Sequence, residues 1–427
     1  MSERTIAPED WGRFTFSGGD AVEARLRDIV SGTVRTLKDR LRPESVRALV
    51  LIGGYGRGEG GVEVRPDGTE YPHNNLDFLL IGRGGIGEVA ALKAELDPIL
   101  EELSLRLDIG LDLGITTEAR LNASPCLIMW YDMRYGHKTL WGDASYVPSL
   151  TRFEAERIPT SEARNLLVNR GTLLVINDAL IERGIRSEKE RRTVVRHAVK
   201  AIIGYGDALL YFRGEYHWSY AEKRKRMAGR TDVSAEFRAL YDVAMGFRFR
   251  PDYGHWSIGD SEAGAEELRQ VLGPIHLECE RLRLRRTINW DDYLMAACAG
   301  EWTTHPTPSL RAAVRRVINL LRVELPPEVL YALPDLTARW GARSAGPRGV
   351  LPLLFPVIAY HLQEETTVSA ARAFLNAADT SLPALRRAYL RAWGQHGDIN
   401  FGSVLRKLGL SVEESVMDAP VRTREAA

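Results

Sequence analysis

The chain has few cysteines, no excess of charge and no long apolar run. Its three cysteines, Cys126, Cys279 and Cys298, are scattered over 427 residues, so their spacing indicates neither a zinc site nor a disulfide framework. Basic and acidic residues number 57 each, which excludes a general attraction to extended nucleic acid or to membrane surfaces. No run of about 18 uncharged apolar residues predicts a membrane-spanning helix. The N-terminus lacks an apolar signal core, so we expect a cytoplasmic protein.

The most informative segment spans residues 51–81. An apolar strand, Ala48–Ile52, is followed by a glycine turn over residues 53–60, which read Gly-Gly-Tyr-Gly-Arg-Gly-Glu-Gly. A polar linker then leads to a second apolar strand, Leu76–Ile81, which carries one acid, Asp77. Glycines after a strand let the backbone approach a phosphate closely, and an acid on the next strand can hold the accompanying metal. The segment is not a Walker A loop, because no Lys-Ser or Lys-Thr follows the glycines.

This pattern resembles the nucleotidyltransferase superfamily that includes DNA polymerase β, kanamycin nucleotidyltransferase and the minimal nucleotidyltransferases. The family pattern is Gly-Gly or Gly-Ser, a spacer, acid-apolar-acid-apolar on a strand, and a third acid on a later strand. Gly53 and Gly54 match the first part. Residues 75–78 (Asn-Leu-Asp-Phe) match the second part, with an amide in place of the first acid. The third acid is Asp112 or, alternatively, Asp108.

The resemblance implies that a nucleoside monophosphate is transferred from a nucleoside triphosphate, the substrate, to an acceptor. Magnesium or manganese is the expected cofactor. The acceptor is a small metabolite, a sugar phosphate, an RNA end or a protein side chain. The expected catalytic residues are Asp77 and Asp112, which also ligate the metal together with Asn75. The expected nucleotide-binding residues are Gly53, Gly54, Tyr55, Arg57, Glu59 and, from the helical region, Lys200.

The amide of Asn75 leaves three alternatives open. The enzyme works with one firmly held metal, or an acid of the spacer (Glu59, Glu63, Asp67 or Glu70) replaces the missing carboxylate, or the domain binds nucleotide without turnover. A further alternative is a helical interaction scaffold in which the N-terminal domain is vestigial.

The expected fold class is α+β, with a small mixed-sheet domain followed by a large all-α region. Apolar residues at helical spacing predict helices over residues 21–41 and 87–103, and helices predominate from about residue 160. Four parts are expected along the chain. They are a nucleotidyltransferase-like domain (1–150), a helical domain packing on the nucleotide cleft (151–287), a C-terminal helical domain (288–410) and a disordered tail (411–427).

Two later segments carry further predictions. Residues 215–226 combine aromatic and basic side chains, which fits a phosphate-binding or acceptor loop, although the charge pattern favours a solvated helix start. Residues 350–362 (VLPLLFPVIAYHL) are apolar but interrupted by prolines, which predicts a buried helix.

Overall fold

The computed structural model describes residues 7–303, 310–397 and 399–410. The tail predicted over residues 411–427 lies outside the described residues. Contacts divide the chain into two compact units. The first unit comprises Met1–Glu162 and Gly214–His255, and the second comprises Ala163–Arg213 and Trp256–Ala427. This division differs from the boundaries expected at residues 150 and 287, because the segment after Gly214 belongs to the first unit.

All strands in the described part of the chain lie in the first unit. They are β1 (Val46–Ile52), β2 (Val62–Val64), β3 (Glu70–Pro72), β4 (Leu76–Gly82), β5 (Leu111–Thr117) and β6 (Lys138–Gly142). β4 is antiparallel to β1 and parallel to β5, and β1 is antiparallel to β6, so the four-stranded sheet has the order β5-β4-β1-β6. A separate antiparallel hairpin is formed by β2 and β3.

Helices occupy both units and account for the whole regular structure described in the second. In chain order, the α-helices are α1 (Asp20–Lys38), α2 (Gly53–Gly56), α3 (Ile86–Leu107), α4 (Glu118–Ala123), α5 (Ile128–Tyr135), α6 (Tyr146–Ser149), α7 (Thr160–Arg183), α8 (Glu188–Phe212), α9 (Tyr220–Ala228), α10 (Ala235–Phe249), α11 (Glu262–Leu284), α12 (Trp290–Thr303), α13 (Leu310–Arg322), α14 (Pro327–Ala332), α15 (Leu336–Ala359), α16 (Glu365–Leu375), α17 (Leu382–Ala392) and α18 (Ile399–Lys407).

The core of the first unit forms between the sheet and the amphipathic helices α1 and α3. Val22, Leu26 and Ile29 recur at helical spacing along α1, and they join Leu49 and Leu51 of β1 in one buried cluster. The helices predicted over residues 21–41 and 87–103 are therefore confirmed as α1 and α3. Burial of this apolar stripe holds α1 against β1, the strand that the glycine turn follows directly.

The second unit contains a buried network of ion pairs. Arg164 contacts the carboxylate of Glu280 at 3.4 Å and also pairs with Glu301. Arg283 pairs with the same Glu280 at 2.8 Å. Burial alone would raise the pKa of Glu280, but Arg283 and Arg164 lower it to about 2. The charges are therefore mutually compensated inside the helical unit.

The proline-interrupted segment forms the second half of α15. Its residues from Val350 to Ala359 are buried, so the predicted buried helix is confirmed. None of the helices in the described part of the chain combines the length and the apolar character needed to cross a membrane. The α+β class is also confirmed, whereas the assignment of the sheet to the nucleotidyltransferases stays a prediction.

Candidate active site

The two predicted metal ligands lie side by side on neighbouring strands. β4 and β5 run parallel, and Asp77 is the register partner of Asp112. Each acid is flanked along its strand by buried apolar residues, whereas Asp77 itself is half-buried and Asp112 is exposed. Because successive side chains of a strand point to opposite faces, both carboxylates lie on the same, more accessible face of the sheet.

Asn75 immediately precedes β4 and contacts the second of these acids. Its side-chain amide donates a hydrogen bond from Nδ2 to Oδ2 of Asp112 at 2.8 Å. A glycine at position 110 makes room for it, because a Cβ atom there would lie 2.3 Å from Oδ1 of Asn75. The residue that replaces the first acid of the family pattern therefore contributes a hydrogen-bond donor to the site and no third negative charge.

The alternative third acid, Asp108, lies at a helix end. It ends α3 with a φ of 53° and forms an ion pair with Arg65 at 3.1 Å. β5 begins only at Leu111. The strand geometry therefore brings Asp112, and not Asp108, into register with Asp77.

The glycine turn approaches Asp77 directly. Gly53 has a φ of +69°, which residues with a side chain rarely adopt, and a Cβ atom there would lie 2.4 Å from Oδ2 of Asp77. Strand register agrees with this proximity, because Ile52, the last residue of β1, is opposite Asp77. The backbone of the turn and the first carboxylate are thus in van der Waals contact.

Tyr55 anchors the turn from within. Its side chain is 1% exposed, and its hydroxyl donates to the carbonyl of Gly61 at 2.9 Å while accepting from the backbone N–H of Asn74. Burial raises the pKa of Tyr55 to about 12. The two hydrogen bonds of its hydroxyl therefore tie the glycine turn to the backbone at Gly61 and Asn74.

Arg57 forms a buried ion pair with Asp132. Its guanidinium donates to Oδ2 of Asp132 at 3.0 Å, lies 4.6 Å from the ring centre of Tyr220, and is 6% exposed. Burial opposes the charge, but Tyr220 and Asp132 outweigh that effect and raise the pKa of Arg57 above its ordinary value. In this arrangement Arg57 ties the glycine turn to α5.

Glu59 binds the N-terminus of α9. Its buried carboxylate accepts hydrogen bonds from the hydroxyl of Ser219 at 2.6 Å and from the backbone N–H groups of Tyr220 and Ala221 at 2.8 and 3.2 Å. A carboxylate at this end of a helix is also favoured by the helix dipole. Glu59 therefore joins the turn to a helix far along the chain.

The other acids of the spacer have contacts of their own. Oε2 of Glu70 accepts from the backbone N–H of Gly19 at 2.6 Å, and Asp67 accepts from the backbone N–H of Thr69 at 2.9 Å. Glu63 lies on β2, opposite Tyr71 of β3. These contacts hold the hairpin and its turn.

The basic and aromatic segment over residues 215–226 contains the start of α9, as the charge pattern favoured, but its basic residues do not all face solvent. Lys223 is 1% exposed, with its Nζ atom 4.9 Å from the ring centre of Tyr216 and 4.3 Å from that of Tyr220. Tyr216 is buried as well and donates to Asp132 at 3.1 Å. This part of the segment belongs to the interior beside the glycine turn.

Sequence reasoning missed Arg248, on α10. Its Nη2 atom lies 3.0 Å from the position that a Cβ atom would take at Gly54, and its guanidinium stacks 3.9 Å from the ring centre of Tyr220. No local pattern marks this residue, because only the fold brings α10 to the turn. The predicted ligand Lys200, in contrast, is an exposed residue of α8 in the second unit.

The carboxylates present fit one divalent cation better than two. Within the described part of the chain, no group of three or more His, Cys, Asp or Glu side chains is placed to hold a metal. Magnesium commonly uses one or two carboxylates and completes its shell with water and substrate phosphate oxygens. Asp77 and Asp112 supply that number, whereas Asn75 turns its Nδ2 donor, and not its oxygen, toward Asp112.

Comparison with known proteins gives no family assignment, since no family profile and no curated protein matches the chain significantly.

Proposed function

We propose that the protein is a metal-dependent nucleotidyltransferase that moves a nucleoside monophosphate from a nucleoside triphosphate to a hydroxyl or phosphate acceptor. The observation that carries the proposal is the pairing of Asp77 with Asp112 on parallel strands, directly beside Gly53. Two carboxylates next to a backbone that a phosphate can approach are what this chemistry needs.

The proposed reaction assigns a role to each group. An oxygen of the acceptor attacks the α-phosphorus, the bond from that phosphorus to the bridging oxygen breaks, and pyrophosphate leaves. Asp112, the more exposed acid, accepts the proton of an acceptor hydroxyl, and Asp77 is the ligand nearest the turn. Magnesium or manganese held by Asp77 and Asp112 would neutralise charge on the phosphoryl oxygens. The backbone at Gly53 and Gly54 positions the phosphates.

One observation favours a second candidate, a regulatory protein that binds nucleotide without turnover. The amide of Asn75 donates to Asp112 at 2.8 Å and occupies one oxygen of that carboxylate. An amide in place of a carboxylate also lowers the negative charge available to a metal. Both effects weaken metal binding while leaving the glycine turn intact.

The first test is a thermal-shift and pyrophosphate-release screen with the four nucleoside triphosphates and magnesium or manganese. Wild type is compared with Asp77→Ala and with Asp67→Ala, which removes an acid that caps a turn of the spacer. We expect stabilisation and slow pyrophosphate release in wild type and in Asp67→Ala. Loss of one of two metal ligands in Asp77→Ala should abolish release.

Other outcomes separate the candidates. Stabilisation without release would favour the binding protein, and Asn75→Asp would then be expected to create release if only the third charge is lacking. Release that survives Asp77→Ala would overturn the proposed site. If no nucleotide raises the melting temperature of wild type, the nucleotide site is rejected and the helical scaffold becomes the better account.

A further inference from the structure

Three cations surround the ring of Tyr220, next to the glycine turn. The charged groups of Arg248, Lys223 and Arg57 lie 3.9, 4.3 and 4.6 Å from the ring centre. The negative face of an aromatic ring stabilises a nearby cation, but three positive charges around one ring also repel one another. Asp132 compensates Arg57. Glu59, whose carboxylate binds the start of α9, also favours the charge of Arg57, and Arg248 is the cation of this cluster that lies against Gly54.

Arg248 is the member of this cluster that points at the turn. Its Nε atom is buried without a hydrogen-bond partner. Its Nη2 atom lies against Gly54, while the adjacent Gly53 contacts the carboxylate of Asp77. A buried hydrogen-bond donor without an acceptor is costly, and an anion bound at the turn would supply an acceptor.

We infer that Arg248 binds the outer phosphates of the nucleoside triphosphate and that Tyr220 positions its guanidinium. This inference rests on the proposed function and extends it to the recognition of phosphate-chain length. Asp77 and Arg248 contact successive glycines of one turn, so the metal-ligand side and the cationic side of the site are adjacent. A guanidinium donates two parallel hydrogen bonds to phosphate oxygens, which suits it to the β- and γ-phosphates. A nucleoside monophosphate has no such phosphates.

The test measures affinity by calorimetry for three probes in the presence of magnesium. The probes are the triphosphate that binds wild type best, the corresponding monophosphate and inorganic pyrophosphate. In Arg248→Met we expect the dissociation constants of the triphosphate and of pyrophosphate to rise about tenfold to a hundredfold, and that of the monophosphate to stay unchanged. Arg248→Lys, which keeps the charge without the fork, should recover part of the loss.

Arg250→Met is the matched control. Arg250 follows two residues later, is exposed, and lies 3.6 Å from Glu70. Arg250→Met removes one positive charge from the same end of α10, but not the guanidinium beside Gly54. We therefore expect its affinities for all three probes to equal those of wild type. The positioning role is tested with Tyr220→Phe, which keeps the ring, and Tyr220→Leu, which does not. Only Tyr220→Leu should weaken binding of the triphosphate, and its affinity for the monophosphate should equal that of wild type.

The outcomes distinguish this inference from the proposed function. Absence of any nucleotide binding by wild type would reject both. Wild-type binding that Arg248→Met leaves intact would overturn the role of Arg248 alone. Equal losses for monophosphate and triphosphate would also overturn it, because outer phosphates would not be what Arg248 recognises. If Arg248→Met melts well below wild type, the affinities of Arg248→Lys decide instead. A loss of affinity in Arg248→Lys for the triphosphate and not for the monophosphate supports the inference, and equal losses for both overturn it.

Discussion

At the scale of single residues, the site depends on glycines that leave space for charged groups. Gly53 allows the carboxylate of Asp77 to touch the turn, and Gly54 allows the guanidinium of Arg248 to do so. Gly110 gives the same room to the amide of Asn75. A sequence shows only that these positions are glycine, whereas the groups that fill the space come from other elements.

Substitution of Gly53 tests the contact with Asp77. Gly53→Ala forces a side chain into a φ of +69° and places its Cβ atom 2.4 Å from the carboxylate. We expect the free energy of unfolding to fall by about 1–3 kcal/mol and the metal-dependent stabilisation by nucleotide to be lost. Urea unfolding and thermal shift measure the two effects.

Gly68→Ala is the control for Gly53→Ala. Gly68 has a φ of +82°, but nothing lies within 4 Å of the position of its Cβ atom. It should show the backbone cost and keep the nucleotide response. A nucleotide response that survives in Gly53→Ala would contradict the importance of the Asp77 contact.

At the scale of secondary-structure elements, a side chain of the turn organises a distant helix. The carboxylate of Glu59 accepts from the hydroxyl of Ser219 and from two backbone N–H groups at the start of α9. Those N–H groups have no partner within the helix. The first residue of α9 is Tyr220, on which Arg248 stacks. Glu59 thereby connects the glycine turn to the cations beside it.

Removal of this carboxylate should destabilise α9. In Glu59→Ala, buried donors lose a charged acceptor, and we expect the free energy of unfolding to fall by about 2–4 kcal/mol, with faster hydrogen exchange at the N–H groups of Tyr220 and Ala221. Ser234→Ala, which removes an ordinary cap of α10, should cost about 1 kcal/mol. A loss in Glu59→Ala no larger than in Ser234→Ala would show that the carboxylate is not needed.

The sequence allowed the elements to be predicted better than the contacts between them. Strands and helices such as β1, β4, α1 and α3 follow from local apolar spacing, and the family pattern indicated Asp77 and Asp112 as partners. The positions of Glu59 and Arg248 follow from long-range packing, on which local periodicity carries no information. Lys223 shows the same limit, because a basic helix start normally predicts solvent exposure and here the lysine is buried.

At the scale of the whole molecule, the two units alternate along the chain. The first unit is interrupted after Glu162 and resumes at Gly214 with the segment that contains α9 and α10. A fragment ending at residue 150 would therefore lack the partners of Glu59 and the guanidinium of Arg248. The expected nucleotidyltransferase domain of 1–150 does not contain all residues of the candidate site.

The second unit carries two buried histidines that couple folding to pH. Burial lowers the pKa of both His197 and His276 to about 3. Nδ1 of His197 is hydrogen-bonded to Asn177 at 2.9 Å, and Nδ1 of His276 is hydrogen-bonded to Tyr360 at 2.8 Å. Both rings are therefore neutral in the folded protein throughout the physiological range, whereas in the unfolded chain they take up protons below about pH 6.5.

Acidification should destabilise the folded protein, because its two buried histidines stay neutral where the unfolded chain binds protons. The folded state binds fewer protons than the unfolded state between about pH 6.5 and pH 3, so stability is fully present above pH 6.5 and falls as the pH falls through this window. Each histidine should cost about 2 kcal/mol between neutrality and about pH 5, where few carboxylates have begun to titrate. Urea unfolding across this range measures the loss. His276→Phe keeps an aromatic ring against Phe355, on which His276 stacks. This variant should lose about half of the pH-dependent fall in stability, because only His197 still takes up a proton on unfolding. An unchanged pH dependence in His276→Phe would contradict a neutral, buried His276 and locate the proton uptake elsewhere.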